Sequence, residues 1–144
     1  KLLDFFYWEN RNANWQAMSQ LEFDLAHEEF WILFLNRSNK VIERMKLSQG
    51  GISGTVTDVR MVMKKAIEYL ASGIIVCHNH PSGNLNPSES DVKITQKIKE
   101  AGNIMDIQLL DHLIISDRDY YSHSQPLKRN FLNLDSSHLL FLKQ

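Results

Sequence analysis

The chain has 144 residues, 43% hydrophobic and 23% charged, with a formal net charge of −1. That is enough to bury a single ordinary core and too little positive charge for the broad basic field that sequence-independent nucleic-acid binding needs. A single cysteine, Cys77, excludes a disulfide within these residues and fits a reducing cytoplasm, and no apolar run approaches the roughly 18 residues of a membrane span.

The opening "KLLDFFYW" is too short for the apolar region of a signal peptide. Residues 1–26 show only a weak helical pattern, through "WQAMSQLEFDLA", and are expected to form a helical lead-in. "EEFWILFLN", Glu28 to Asn36, is a run of aromatic and branched residues that predicts a strand buried on both faces. "RSNK" is then a turn, and "VIERMKLS" the returning strand of a hairpin. "QGGISGT" is a glycine-rich loop. The following "DVRMVMKKAIEYLAS" sets Val59, Val62, Met63, Ala66, Ile67 and Leu70 at helical spacing, with Gly73 as its predicted stop.

"IIVCH" is short, apolar and β-branched, the signature of a central strand. A second helix is predicted from Ser88 to Ala101, closed by Gly102. "DIQLLDHLIIS" predicts another strand, "DRD" a turn and "YYS" the start of a further strand. The tail, residues 126–144, carries no trusted period and is expected to be a C-terminal extension. Strands and helices mixed in this order imply an α/β layer fold around a central mixed sheet.

Chemistry concentrates in "CHNHPSGNLNPSESD", Cys77 to Asp91. In a strand, residues two apart share a face, so the imidazoles of His78 and His80 converge, at the carboxyl end where open α/β sheets place ligands. At 100° per residue Asp91 lies on one stripe with Ile94, Ile98 and Ala101, so its carboxylate points toward the body of the protein. Ser88 and Asp91 also fit a capping box, but an inward carboxylate is costly without a partner, and a cation supplies one. Two histidines and one aspartate, with a fourth position for water, make an open zinc site. The literal tripeptide "HNH" does not indicate the nuclease class of that name, whose residues are scattered over a ββα-metal element.

The spacing His78-x-His80-x7-Ser88-x2-Asp91, with "FWILFLN" upstream and "LLDHLIIS" downstream, resembles the RadC-like branch of the JAB/MPN (JAMM motif) metalloproteases over roughly residues 27–125. The resemblance implies a three-layer, cytidine-deaminase-like α/β fold with a central curved sheet, and one catalytic Zn²⁺ per chain held by His78, His80 and Asp91. It also implies a glutamate acting on the zinc-bound water. Strand parity leaves Glu28 and Glu29 open as candidates, and the family pattern maps to Glu28. Ser88 matches the motif serine that assists a developing oxyanion, besides its capping role. His112 falls within the resemblance, as a structural residue or one orienting a ligand. Cys77 alternates away from His78 and reads as a small core residue. Arg60, after the glycine-rich loop, is a candidate for a substrate carboxylate or phosphate and equally an ordinary surface residue. His27, His123 and His138 have no assignable partners.

The implied function is that of a cytoplasmic protein carrying out zinc-dependent hydrolysis of a peptide or isopeptide bond in a protein or peptide substrate. A nucleic-acid-processing protein is the alternative that the family's traditional name suggests, and near-neutral charge weighs against it. A non-catalytic interaction module on the same fold is the third; such modules lose ligands that this chain retains.

Overall fold

The computed structural model describes residues 26–49, 57–116 and 120–124. The lead-in before residue 26, the glycine-rich loop after Gln49, the "DRD" turn, the tail and His138 lie outside the described residues.

Five strands form one mixed sheet in the order β2-β1-β3-β4-β5. They are β1 (Glu29–Leu35), β2 (Val41–Gln49), β3 (Gly73–Asn79), β4 (Gln108–Ile115) and β5 (Tyr120–Ser122), with helices α1 (Val59–Glu68) and α2 (Glu89–Ile104) between them. β1 pairs antiparallel with both β2 and β3, β3 runs parallel to β4, and β5 returns antiparallel to β4. The parallel β3–β4 pair demands a long crossover, and α2 supplies it. The whole is a mixed α/β arrangement of the JAB/MPN type.

The hairpin forms because Asn36 and Asn39 supply its turn chemistry. The Asn36 side chain accepts from the amides of Ser38 and Lys40, and Asn39 takes the left-handed conformation (φ 57°) that asparagine tolerates. β1 is buried on both sides, as its unbroken apolar run requires. Phe30, Ile32 and Phe34 join Val62, Met63 and Ala66 of α1 and Ile98 of α2, whereas Leu33 and Leu35 pack with Ile75, Leu113 and Ile115 on the opposite face. Both helices therefore lie against one face of the sheet. The described residues supply the sheet and this helical layer of the expected three.

The two helix stops differ from the sequence expectation. α1 ends with Tyr69 as its cap, and Leu70, not Gly73, turns the chain in the left-handed region at φ 52°. The amide of Ala71 bonds to the carbonyl of Ala66, and that of Leu70 to Ile67, closing a Schellman motif. These bonds offset the roughly 1–2 kcal/mol that a residue with a Cβ loses there. Leu70 consequently points outward, 83% exposed, and Ile67 is 48% exposed, so neither belongs to the core stripe. Gly73 opens β3 instead.

α2 runs through Gly102 to Ile104, and Asp106 (φ 57°) makes the turn. Gly102 serves a different need. The Ile107 amide bonds back to the Gly102 carbonyl at 2.8 Å, and a Cβ on Gly102 would meet the Ile107 oxygen at 2.2 Å. Because the obstructing atom is backbone, Gly102→Ala is expected to destabilise the protein by about 2–3 kcal/mol, the upper range for overpacking, despite alanine's better helix propensity. Chemical denaturation measures this, and an unchanged or higher midpoint would contradict it.

Candidate metal centre

The end of β3 delivers the histidines. Its alternation turns His78, with Ile74 and Val76, toward the helical layer and Cys77 toward the opposite cluster. Cys77 is buried there, and burial, with Asp111 adding to it, pushes its thiol pKa well up, so it stays a neutral core residue. Phe30 pairs with His78 across β1–β3 and stacks on it, ring centroids 5.9 Å apart.

Continuing that register carries residue 28 alongside residue 80, and the Glu28 carboxylate lies 3.9 Å from His78 Nε2. Glu29 points the other way. It is 2% exposed, accepts from the Trp31 indole at 3.3 Å and lies 3.5 Å from the Lys46 ammonium. Strand pairing thus separates two glutamates that parity alone leaves equivalent. The residue between the histidines also contributes, which sequence reasoning missed. The fully buried Asn79 accepts from the Glu29 amide and donates to the His27 carbonyl, each at 2.9 Å, clamping the backbone on both sides of Glu28.

The loop after β3 turns at Gly83, whose φ of 79° favours glycine, with its amide bonded to the His80 carbonyl. This brings the Asn84 carbonyl to 2.6 Å from His80 Nδ1. Ser88 then caps α2 in a complete capping box: its hydroxyl accepts from the Asp91 amide, and Asp91 Oδ2 accepts from the Ser88 amide at 2.7 Å. The box and the inward stripe are compatible, because Asp91 does both. Its Oδ1 lies 3.1 Å from His78 Nε2 and its Oδ2 3.1 Å from His80 Nε2.

Burial raises the Asp91 carboxyl, but the two histidines and the Ser88 amide outweigh it and hold the group well below the usual carboxylate range. Asp91 in turn raises the pKa of His80. The donor set fits a metal ion on its own chemistry. A carbonyl only accepts, so the Asn84 contact requires the proton of neutral His80 on Nδ1 and leaves a lone pair on Nε2. That lone pair faces a carboxylate oxygen at 3.1 Å and His78 Nε2 at 3.0 Å. Only a proton or a cation between them relieves this crowding. Tetrahedral zinc with bonds of about 2.0–2.1 Å sets its ligand atoms roughly 3.3 Å apart, close to these spacings. Together Glu28, His78, His80 and Asp91 offer four ligand atoms within 4.8 Å of one another.

Behind this group, His78 Nδ1 meets His112 Nε2 at 2.7 Å, and His112 Nδ1 meets the Thr95 hydroxyl at 2.6 Å. His112 is fully buried, and burial lowers its pKa well below the ordinary value. His123, without a partner in the sequence reading, stacks on His112 at 4.5 Å and reaches the His112 carbonyl through Nδ1. Thr95 was not singled out either, although it stands one helical turn beyond Asp91. Arg60 pairs with its own helix cap, Asp58, at 2.9 Å on the surface, and is no part of the group. In front, a cleft of about 450 Å³ is lined by Glu28, Phe30, Thr57, Asp91, Ile94 and Lys97.

Comparison with known proteins gives a consistent result. The RadC-like JAB domain family matches residues 9–128. A UPF0758 protein of Flavobacterium johnsoniae is 62% identical over 99 residues, covering 69% of this chain and 43% of the relative. One from Porphyromonas gingivalis is 47% identical over 107 residues, covering 74% and 47%. One from Pelobacter propionicus is 36% identical over 122 residues, covering 85% and 48%. The chain thus spans less than half the length of these relatives.

Proposed function

The chain belongs to the RadC-like JAB domain family, and from that premise we propose that it is a zinc-dependent hydrolase cleaving a peptide or isopeptide bond. The observation that carries this reading is the convergence of Glu28, His78, His80 and Asp91 at one end of an open cleft. Three of these, His78, His80 and Asp91, are the zinc ligands. Zinc held there would polarise a water and lower its pKa from about 15.7 toward about 7.

The remaining steps belong to the protein's own residues. Glu28 stands beside the ligands, at 3.9 Å from His78 Nε2, with its backbone clamped by Asn79. It takes a proton from the attacking water and passes it to the leaving nitrogen, base first and then acid. The Ser88 hydroxyl accepts a bond from the Asp91 amide, so its own proton remains to donate to an oxyanion as the carbonyl becomes tetrahedral. Phe30 and Ile94, which line the cleft, provide an apolar seat for the chain flanking the scissile bond.

The testing experiment uses protein purified without chelator. About one zinc per chain is expected, together with cleavage of at least one member of a panel of quenched peptides and lysine isopeptides. Chelation should abolish that cleavage and added zinc restore it. Protein that takes up no zinc even when it is supplied would refute the proposal. No described helix is long and apolar enough to cross a membrane.

A further inference from the structure

We propose that Thr95 and His112 are positioning residues through which the backbone carbonyl of one zinc ligand, Asp91, dictates which nitrogen of another, His78, carries the proton. The inference rests on the reading above for the identity of the ligands. Its geometry is a closed circuit linking α2, β4 and β3.

The proton inventory follows from a single fixed point. The Thr95 hydroxyl lies 2.6 Å from the Asp91 carbonyl and 2.6 Å from His112 Nδ1. A carbonyl has no proton to give, so the one hydroxyl proton of Thr95 goes to it. Thr95 must then accept from His112, which places a proton on His112 Nδ1. The His112 ring is buried completely, its two nitrogens face His78 and Thr95 with no carboxylate of the described residues in hydrogen-bond reach, and burial holds it neutral. Its Nε2 is therefore a bare acceptor. The 2.7 Å contact to His78 Nδ1 needs a proton, and only His78 is left to supply it. The proton sits on His78 Nδ1, and His78 Nε2 presents its lone pair to the centre.

The reverse arrangement reveals the consequence. With a proton on His112 Nε2, His78 Nδ1 would have to accept, and a neutral His78 would carry its proton on Nε2. That proton would occupy the position the metal needs. The two ligand histidines are thus oriented by different backbone carbonyls, His80 directly by Asn84 and His78 through two side chains by Asp91. The stacked His123, bonded to the His112 carbonyl, holds the plane of the His112 ring.

The experiment compares wild type, Thr95→Val and Thr95→Ser by nitrogen NMR of the histidine side chains in metal-free protein, and by competition titration with zinc. Valine preserves the shape of threonine but neither donates nor accepts, leaving a proton on His112 Nδ1 without a partner. The expected wild-type result is neutral His112 with its proton on Nδ1. In Thr95→Val that tautomer should be lost, and zinc affinity should fall about 10- to 100-fold, the range for an outer partner of a ligand histidine. Thr95→Ser should restore both. His112 protonated on Nε2 in the wild type would overturn the proposal, as would Thr95→Val with unchanged tautomer and zinc affinity. If Thr95→Val does not fold, the wild-type tautomer still decides. Failure of the wild type to bind zinc would instead strike the functional reading, and the metal-free NMR result would stand apart from it.

Discussion

Asp91→Ala is expected to leave the protein without zinc. Among the described residues Asp91 is the carboxylate that bridges both histidines, at 3.1 Å to each. Loss of an outer partner already costs a metal site about 10- to 100-fold in affinity, so loss of a direct ligand should cost more than about 100-fold. The same substitution removes the acceptor for the Ser88 amide from the capping box, worth roughly 1 kcal/mol. Asp91→Asn separates the two roles. An asparagine oxygen can still accept from the Ser88 amide but presents no charge to a cation, so this variant should keep most of the stability and still lose most of the zinc. Metal analysis of the three proteins alongside their unfolding midpoints makes the comparison. Full zinc content in Asp91→Ala would remove Asp91 from the ligand set.

Glu28→Gln should do the opposite, retaining zinc while hydrolysis falls about 10²- to 10⁴-fold, the usual contribution of a positioned general base. Glutamine keeps the shape and the hydrogen-bonding reach of the side chain but cannot take up the proton from water. The matched control is Glu29→Gln. Glu29 is turned to the other side of the strand, against Trp31 and Lys46, so its substitution should leave turnover unchanged. Steady-state rates of the two variants on the same substrate decide the matter. If Glu29→Gln is inactive and Glu28→Gln is not, the roles assigned to these neighbours must be exchanged.

Stretches with a strong local period were legible in the sequence. The unbroken apolar runs of β1 and β3 gave buried strands, and the polar "RSNK" between two strand patterns gave the hairpin turn. The direction of Asp91 was readable from its stripe with Ile98, and the shared face of His78 and His80 from a strand's two-residue repeat. The helix ends were not legible. Glycine is the cheapest residue in a left-handed turn, yet Leu70 and Asp106 occupy those turns here. Hydrogen bonds to Ala66 and Gly102 offset the strain, and they depend on where each chain must go next. Gly102 marked a close approach of backbone, which looks the same in sequence as a stop.

What the sequence determined by itself, then, is which way side chains point along each element, because the periods of helix and strand are set by local backbone geometry. Which elements stand opposite one another was decided by the tertiary structure. The pairing of β1 with β3 turns Glu28 toward His78 and Glu29 away. The packing of α2 over β3 and β4 brings Thr95 to His112 and His112 to His78, residues 17 and 34 positions apart. Contacts at such separations follow from sheet register and core packing, which no local repeat encodes.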